Sequence, residues 1–531
     1  MRAAPVRLGG DDWRVGVRFL AALPRFLRTP LALDTMRATV RHRLADRGAR
    51  LIATVERALR APSSPYARLF AHAGCTSGDV ATAVRQEGVE GALAMLYRAG
   101  VYLAGDEFKG RVAVVRGSLA FDVDPATLVR PGAVVHGLAE SSGSRGARTP
   151  VPIDLAFVRD HAVNTHVALD AHGGRDWTHA HHGVPGGTAV TNPLELAKGG
   201  RPPARWFTPV DVGAPGLAPR YRWGVRAMRW GSRLAGVPLP GPTLAPFDDP
   251  SPVVRWMADE IAQGRIPHLW GFASTAVRIC QAAAEAGADI AGARFTMGGE
   301  PTTAARRAAV EAVGAVALPR MGATETDILA YACARPQGAD DMHFLDDRHA
   351  LLQPGADGER PRVRRDAMLL TSLLDTAPLV LLNVCMGDRA TLVRRRCGCG
   401  LERDGWHLHV VDVRSYEKLT AGGMTFLDVD VVRVLEETLP ARFGGRAADW
   451  QLCERADGAR ARPEVVLVVD PAVGPLDERA VADAFLEAIG GGSGGERLME
   501  MQWRDARLLS VARETPRRTA TGKALHVFHQ R

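Results

Sequence analysis

Long apolar runs, lysine and paired cysteines are all scarce in this 531-residue chain. No uninterrupted apolar stretch reaches the roughly 18 residues that a membrane span needs, and the N-terminal residues lack the compact apolar core of a signal peptide. The seven cysteines are odd in number and scattered, so they do not form a disulfide framework. These absences predict a cytoplasmic protein, and the length predicts two or three domains.

Lysine supplies only four of the 67 basic residues: Lys109, Lys198, Lys418 and Lys523. Because the chain otherwise uses Arg, a Lys within a motif indicates that a compact ammonium is needed there. The net charge of +8 is unevenly distributed, since residues 1–60 hold 13 Arg against five acidic residues and the remainder holds 54 of each sign. The balanced body disfavours a nucleic-acid partner.

The basic N-terminal segment interleaves apolar residues with Arg between Trp13 and Arg28 at near-helical spacing, interrupted at Pro24. Such a helix can lie on an anionic membrane surface. It can equally pack on its own protein with Arg facing solvent, which is the commoner arrangement for an amphipathic helix and the one favoured here.

A Ser/Gly stretch follows the strand-like run that ends at Glu140. Hydroxyls and glycines alternate in it, so backbone N–H and side-chain O–H groups can converge on one anion without obstruction by Cβ atoms. The pattern predicts a polyphosphate loop, although such runs are also common in plain loops. The residues concerned are Ser141, Ser142, Gly143, Ser144 and Gly146.

Beyond this loop, helical and strand-like segments alternate, which predicts an α/β core with a substantially parallel sheet. Residues 183–250 are rich in Gly and Pro and predict loops and short strands around a cleft. Several short motifs follow strand ends or close the chain, where they can meet a nucleotide and its cation. In order they are Gly298-Gly299-Glu300-Pro301, Gly322-Ala323-Thr324-Glu325, Gly387-Asp388, and Thr519-Ala520-Thr521-Gly522-Lys523.

The order and separation of these pieces resemble the adenylate-forming superfamily of acyl-CoA synthetases, luciferases and peptide-synthetase adenylation domains. Within it, the segments 64–70 (SPYARLF) and 106–110 (DEFKG) are similar to those of the phenylacetate–coenzyme A ligase group. The resemblance implies an α/β fold with a large N-terminal adenylation domain of mixed sheets and helices and a small mobile α+β C-terminal domain. The predicted boundaries are 1–62 for a basic helical extension, 63–412 and 413–531.

The resemblance also implies a role for each motif. The Ser/Gly loop would hold the ATP β- and γ-phosphates, and the segment 299–301 would flank the adenine. Thr324 would contact the α-phosphate with Gly322 and Ala323 beside it, and Glu325 would bind Mg²⁺. Asp388 would bind the ribose hydroxyls with Arg414 nearby, Glu417 would lie at the inter-domain hinge, and Lys523 would bridge the carboxylate and the α-phosphate.

Two further sets of residues are candidate ligands. Cys333, His343, Cys397 and Cys399 offer a tetrahedral set of three sulfurs and one nitrogen, at positions where some members of the resembling group bind structural Zn²⁺. They can also be four unrelated loop residues. His181, His182 and Gly183 fall in the region that lines the acyl pocket of the resembling enzymes, which predicts a substrate contact.

The resulting hypothesis is an ATP-dependent enzyme that converts a small carboxylic acid to acyl-AMP and passes the acyl group to coenzyme A. One alternative is transfer to an amine or a carrier-protein thiol. Another is a non-catalytic nucleotide-binding relative, because Arg145 and Met321 replace residues that are usual in the phosphate loop and beside the adenine. The identity of the acid does not follow from the sequence.

Overall fold

The computed structural model describes most of the chain, and the statements below concern those residues alone. They are 12–61, 63–140, 150–185, 188–214, 219–246, 249–355, 358, 360, 362–415, 431, 434–446, 449–456, 463–490, 500–501, 503–505, 507–517 and 527–530. Among the helices they contain, none is both long enough and apolar enough to cross a membrane.

The helices fall mostly in the first 311 residues. In chain order they are α1 (Asp12–Leu27), α2 (Leu33–Ala45), α3 (Arg47–Leu59), α4 (Pro65–Ala73), α5 (Ser77–Arg98), α6 (Gly105–Phe108), α7 (Leu155–Ala171), α8 (Thr188–Lys198), α9 (Pro219–Leu234), α10 (Ser251–Ala262), α11 (Ala273–Glu285), α12 (Ala304–Glu311), α13 (Gly400–Arg403), α14 (Leu439–Phe443) and α15 (Glu478–Gly490).

The strands become dense after residue 260. They are β1 (Val114–Arg116), β2 (Leu119–Phe121), β3 (Gly137–Glu140), β4 (Pro150–Ile153), β5 (Trp177–His182), β6 (Arg205–Thr208), β7 (Pro242–Leu244), β8 (Ile266–Phe272), β9 (Arg294–Gly298), β10 (Val316–Ala323), β11 (Asp327–Ala332), β12 (Met342–Phe344), β13 (His349–Leu352), β14 (Ala367–Ser372), β15 (Val384–Arg394), β16 (Leu408–Ser415), β17 (Trp450–Ala456), β18 (Pro463–Val469), β19 (Leu509–Arg513) and β20 (Val527–Gln530).

One twelve-stranded sheet organises the large domain, in the order β13-β14-β15-β16-β12-β11-β10-β9-β8-β5-β6-β7. Its half from β10 to β7 is parallel. The half from β10 to β13 is antiparallel. The helices that connect the parallel strands cover both of its faces, as a buried parallel sheet requires.

Alternate residues of each parallel strand point to opposite faces of the sheet. On one face the buried side chains pack under α10, α11 and α12, and they include Ala180, Leu269, Phe295 and Ala317. On the other face they pack under Leu169 of α7 and Leu196 of α8, and they include Trp177, Trp270 and Leu318. We name the second surface the α7–α8 face. The α/β class and the mixed sheet predicted for the large domain are confirmed.

The basic N-terminal segment packs on the rest of the chain. Phe19, Leu23 and Phe26 of α1 share a core with α8 and α9, and Arg28 Nε donates to the Ala235 carbonyl at 3.2 Å. The interruption predicted at Pro24 is wrong, since α1 runs through it to Leu27. Burial of these apolar side chains outweighs the roughly 3 kcal/mol that an interior Pro costs a helix.

Residues 183–250 contain more helix than the sequence predicted. The structure has the short strands β6 and β7 there, as the sequence predicted, but also α8 and α9, which it did not predict. The Gly- and Pro-rich stretches flank the helices, and within α9 Val225 and Met228 pack against α1. Tertiary packing on α1 therefore stabilises a helix whose own composition is strongly basic.

The C-terminal residues form a separate small sheet in the order β19-β18-β17-β20, with an antiparallel pair at its centre and a parallel strand on each side. Its core, which includes Trp450, Leu467, Phe485 and Trp503, is distinct from those of the large domain. Met501 packs against Val210 of the large domain. The predicted α+β character is confirmed; the domain boundaries and the mobility remain predictions.

We expect Leu23→Ala to lower the free energy of unfolding by about 3 kcal/mol, because the substitution leaves a cavity between α1 and α9. Leu23 is fully buried, and its Cδ2 lies so close to Gly231 that a Cβ there would be 2.7 Å away. Urea unfolding followed by tryptophan fluorescence measures the change. The control is Val17→Ala, at a side chain 57% exposed on the same helix, expected to stay within about 0.5 kcal/mol of the parent. Equal effects of the two variants would contradict the packing of α1 on the body.

Candidate active site

The carboxyl ends of the parallel strands place several predicted site residues along one edge of the sheet. Parallel pairing sets Trp270 of β8 beside Thr296 of β9, and Met297 of β9 beside Pro319 of β10. The segments that follow β9 and β10 therefore leave the sheet as neighbours. His181 of β5 pairs with Trp270 and joins the same edge. In open α/β sheets, ligands bind outside this end of the strands.

The Gly-Glu-Pro segment turns sharply after β9. Gly299 adopts φ 74°, a left-handed conformation that favours glycine. Glu300 is buried, and its carboxylate accepts from the Ser274 N–H at 2.8 Å and the Ser274 Oγ at 2.9 Å, while Arg306 pairs with it at 3.1 Å. The Glu300 side chain thus joins the end of β9 to the start of α11 and to α12. Any adenine contact at this position must come from the backbone or from a neighbour.

The Gly-x-Thr-Glu segment begins at an irregularity in the β10–β11 ladder between Met321 and Gly322. A Cβ on Gly322 would lie 2.6 Å from the Asp327 carbonyl, so only glycine fits there. Thr324 is exposed, whereas Glu325 is buried. An exposed hydroxyl beside a buried carboxylate suits the contact with a phosphate and its cation that the sequence predicted.

Asp388 and Arg414 lie on adjacent antiparallel strands. Asp388 faces Ser415 in the register, and Arg414 faces Arg389. The Arg414 guanidinium pairs with Asp340 at 3.1 Å and lines a cavity of ≈ 280 Å³. The strands thus bring Asp388 and Arg414 close to each other, and the nucleotide contacts of both residues remain predictions.

The His181-His182-Gly183 segment ends β5 with both imidazoles buried. Because successive residues alternate, the rings diverge: the His182 Nε2 lies 3.2 Å from the Ala245 carbonyl, and the His181 Nδ1 lies 3.3 Å from the Asn192 amide nitrogen. Burial lowers the pKa of His181 to about 3 and that of His182 to about 4. Both rings are therefore neutral at physiological pH.

Sequence reasoning missed a buried polar cluster beneath this edge, formed by His161 of α7, Glu195 of α8 and Asp327 of β11. His161 Nε2 lies 3.1 Å from an Asp327 oxygen. Burial is the main cause that raises the pKa of Glu195 to about 8, with a further contribution from the charge of Asp327. The only signal in the sequence was the number of His and acidic residues in segments that are otherwise apolar.

The four proposed zinc ligands converge, with their ligand atoms all within 4.8 Å of one another. His343 Nε2 lies 3.2 Å from the sulfur of Cys399 and 3.5 Å from that of Cys397. The other ring nitrogen lies 2.7 Å from the Trp406 carbonyl, so it carries the hydrogen and Nε2 presents its lone pair to the sulfurs. A hydrogen bond from Cys333 is the main cause that holds the pKa of the Cys399 thiol well below its usual range.

Other predicted residues lie outside the described part of the chain. They are Ser141, Ser142, Gly143, Ser144 and Gly146 of the Ser/Gly loop, Glu417 at the predicted hinge, and Lys523. Their predicted roles remain untested by the geometry.

Neither a protein-family profile nor a curated protein sequence matches the chain. Among solved structures, it is similar to 2-hydroxyisobutyryl-CoA ligase in complex with 2-HIB-AMP and CoA in the thioesterification state. The match covers 100% of this chain and 95% of that one, with 16% identity and a TM-score of 0.57. The chain has the fold of an adenylate-forming acyl-CoA ligase.

Two further matches have lower scores. An open conformation of the same 2-hydroxyisobutyryl-CoA ligase covers 91% of this chain and 90% of that one, with 14% identity and a TM-score of 0.45. Acetoacetyl-CoA synthetase from Streptomyces lividans covers 77% and 56%, with 14% identity and a TM-score of 0.34.

We expect Glu300→Ala to destabilise the large domain by about 3 kcal/mol or more, because it leaves Arg306 buried without its ion-pair partner. Both side chains are almost completely buried, at 0% and 6% exposure. The matched control is Glu311→Ala, which removes an exposed carboxylate that pairs with Arg307 on the same helix at 2.7 Å. That pair should contribute less than about 0.5 kcal/mol. Chemical unfolding of both variants is the measurement, and similar midpoints would contradict a structural role for Glu300.

Proposed function

We propose that this chain is an AMP-forming carboxylate–coenzyme A ligase, of the phenylacetate–coenzyme A ligase-like group. The observation that carries the proposal is the fold shared with a CoA ligase over the full length of this chain. The motifs at the carboxyl ends of β9 and β10 support it, because they put an exposed hydroxyl and a buried carboxylate where a nucleotide phosphate would approach.

The proposed first reaction joins a carboxylate to the α-phosphorus of ATP. An oxygen of the acid attacks that phosphorus, the bond to the β-phosphate oxygen breaks, and acyl-AMP and pyrophosphate form. Because both reactants are anions, the barrier falls when they are held in line and their repulsion is offset by positive charge. Thr324 would hold the α-phosphate, and Lys523 would supply the ammonium between the two reactants.

Glu325 is the residue that would hold Mg²⁺. Its carboxylate is buried, and among the described residues no Lys, Arg or His nitrogen lies within 4.0 Å of it, so it fits a hard divalent cation. When bound, Mg²⁺ neutralises charge on the phosphate oxygens.

The proposed second reaction transfers the acyl group to the thiol of coenzyme A. The sulfur attacks the acyl carbon, and AMP leaves with the electrons of the broken bond. A small domain that turns on a hinge near Glu417 would bring Lys523 in for the first reaction and remove it for the second. The solved structure of 2-hydroxyisobutyryl-CoA ligase holds CoA together with 2-HIB-AMP. This favours coenzyme A over an amine or a carrier-protein thiol as the acceptor.

We also propose a structural Zn²⁺ held by Cys333, His343, Cys397 and Cys399. The donor set fits zinc because three sulfurs and one imidazole nitrogen converge and the imidazole is oriented by a backbone carbonyl. All four ligands are protein side chains, which is the pattern of a structural site and leaves no open position for substrate. The ion would join β11, β12 and the loop before α13.

Lys523→Ala is expected to reduce acid-dependent ATP–pyrophosphate exchange by at least about 100-fold, since it removes the ammonium that we propose to act between the two anionic reactants. Lys523→Arg should recover little of this loss, because a planar guanidinium does not replace a compact ammonium. The control is Arg442→Ala in the same small domain, which removes an exposed 3.4 Å pair with Glu487 and a contact with the Phe443 ring, whose centre lies 5.6 Å from the guanidinium. Exchange that survives Lys523→Ala would contradict the assigned role, and no exchange with any acid would contradict the enzyme function.

The zinc proposal predicts one equivalent of zinc per chain in protein purified without chelators, measured by plasma mass spectrometry. Cys399→Ser should remove most of the metal and lower the free energy of unfolding by about 4 kcal/mol, because loss of a structural metal is among the most destabilising changes. Cys75→Ser is the control, since Cys75 is half-buried outside the cluster. A metal-free wild type whose thermal midpoint does not respond to added zinc would contradict the site.

A further inference from the structure

The α7–α8 face carries an unusual group of polar side chains at its active-site end. Trp270 and Leu318 lie on this face, and strand alternation puts His181, which pairs with Trp270, and Arg320, two residues after Leu318, on it as well. Between them β9 contributes Gly298, which has no side chain. These residues lie toward the carboxyl ends of their strands, next to the edge where Thr324 and Glu325 lie.

Arg320 is the cation of this group. A Cβ on Gly298 would lie 3.0 Å from the Cγ and Nε of Arg320, so the side chain lies across that glycine. Its guanidinium sits 4.9 Å from the centre of the Trp270 ring. Its Nη1 is buried without a hydrogen-bond partner, and among the described residues no carboxylate oxygen comes within 4.0 Å. The side chain as a whole is half-buried, and a guanidinium without an ion-pair partner beside a ligand-binding edge can bind an anion.

His181 adds a hydrogen-bond donor. The Asn192 amide donates to its Nδ1 at 3.3 Å, so the hydrogen of the neutral ring resides on Nε2. That Nε2 is buried and without a partner. A Cβ on Gly183 would lie 2.5 Å from it, so only glycine fits beside this nitrogen.

Glu195 supplies a second neutral donor. One of its oxygens accepts from Thr165 Oγ1 at 3.1 Å, and the other is buried without a partner. Burial raises the pKa of Glu195 well above its ordinary value, which favours the protonated carboxyl group, and its unpartnered oxygen can carry the proton.

The group therefore offers hydrogen-bond donors and one guanidinium that, among the described residues, has no carboxylate oxygen within 4.0 Å. We infer that the acid activated by this protein is a dicarboxylate, whose second carboxylate is bound by Arg320 and His181 on the α7–α8 face. This inference rests on the proposed function, because it places the acyl part of the substrate in the space beside Thr324. A neutral hydroxyl on the acid would satisfy the donors but would leave the charge of Arg320 unpaired.

The test compares straight-chain acids of equal length with one or two carboxylates: butanoate with butanedioate, and pentanoate with pentanedioate. For the wild type, kcat/KM in ATP–pyrophosphate exchange should be at least about 100-fold higher for each dicarboxylate than for the monocarboxylate of equal length. The reason is that a charge-assisted bidentate contact is worth a few kcal/mol. Calorimetric titration of each acid, without ATP, measures binding independently of catalysis.

Arg320→Met should bring that ratio close to one and abolish dicarboxylate binding in the titration. Arg320→Lys keeps the charge and should retain part of the selectivity. This second variant still tests the inference if Arg320→Met does not fold. The matched control is Arg294→Met, at an arginine of β9 whose guanidinium lies 5.8 Å from the Trp177 ring centre, toward the other end of the sheet. It should leave the ratio unchanged.

The outcomes separate this inference from the proposed function. Exchange with monocarboxylates at least as fast as with dicarboxylates would overturn the inference and keep the function. Dicarboxylate binding that is lost in Arg320→Met, with no exchange for any acid, would keep the binding site and overturn the function. If the wild type neither exchanges nor binds any dicarboxylate, both are wrong.

Discussion

The parallel register of β5, β8, β9 and β10 is the constraint on which the candidate active site depends. Hydrogen bonding between these strands brings their carboxyl ends to one edge, and the residues just beyond the strands therefore meet there. The buried Glu300–Ser274 contacts hold the end of β9 against the start of α11. The residues in the loops at this edge can therefore differ in identity to suit a ligand, while the sheet that supports them stays unchanged.

The same sheet separates two kinds of chemistry by its pleat. One face under α10–α12 is filled with apolar side chains. The α7–α8 face is apolar at Trp177 and Leu318 but becomes polar toward the active-site edge. Burying hydrogen-bond donors without partners, such as His181 Nε2 and Arg320 Nη1, costs stability. The binding of a ligand of matching charge offsets this cost. The polar end of this face therefore says more about the ligand than the apolar cores do.

Several features could be predicted from the sequence because they depend on spacing along the chain. The ordered motifs gave the fold, and the Cys-x-Cys pair with Cys333 and His343 gave a cluster that does converge in space. The sequence could not show that the Glu300 side chain is engaged by Ser274 and Arg306, because those partners become neighbours only through the sheet. It also gave no sign of Arg320, which is one arginine among many until Gly298 and Trp270 are placed beside it. Helix α9 was missed because its stability comes from packing on α1, which local propensity does not report.

The most direct test of this account is a crystal structure with a non-hydrolysable acyl-adenylate mimic. We predict that the phosphate of the mimic lies within hydrogen-bond distance of Thr324 and that its acyl part enters the α7–α8 face between His181 and Arg320. A mimic whose acyl part lies on the α10–α12 face, or whose phosphate lies away from the carboxyl ends of β9 and β10, would contradict the account.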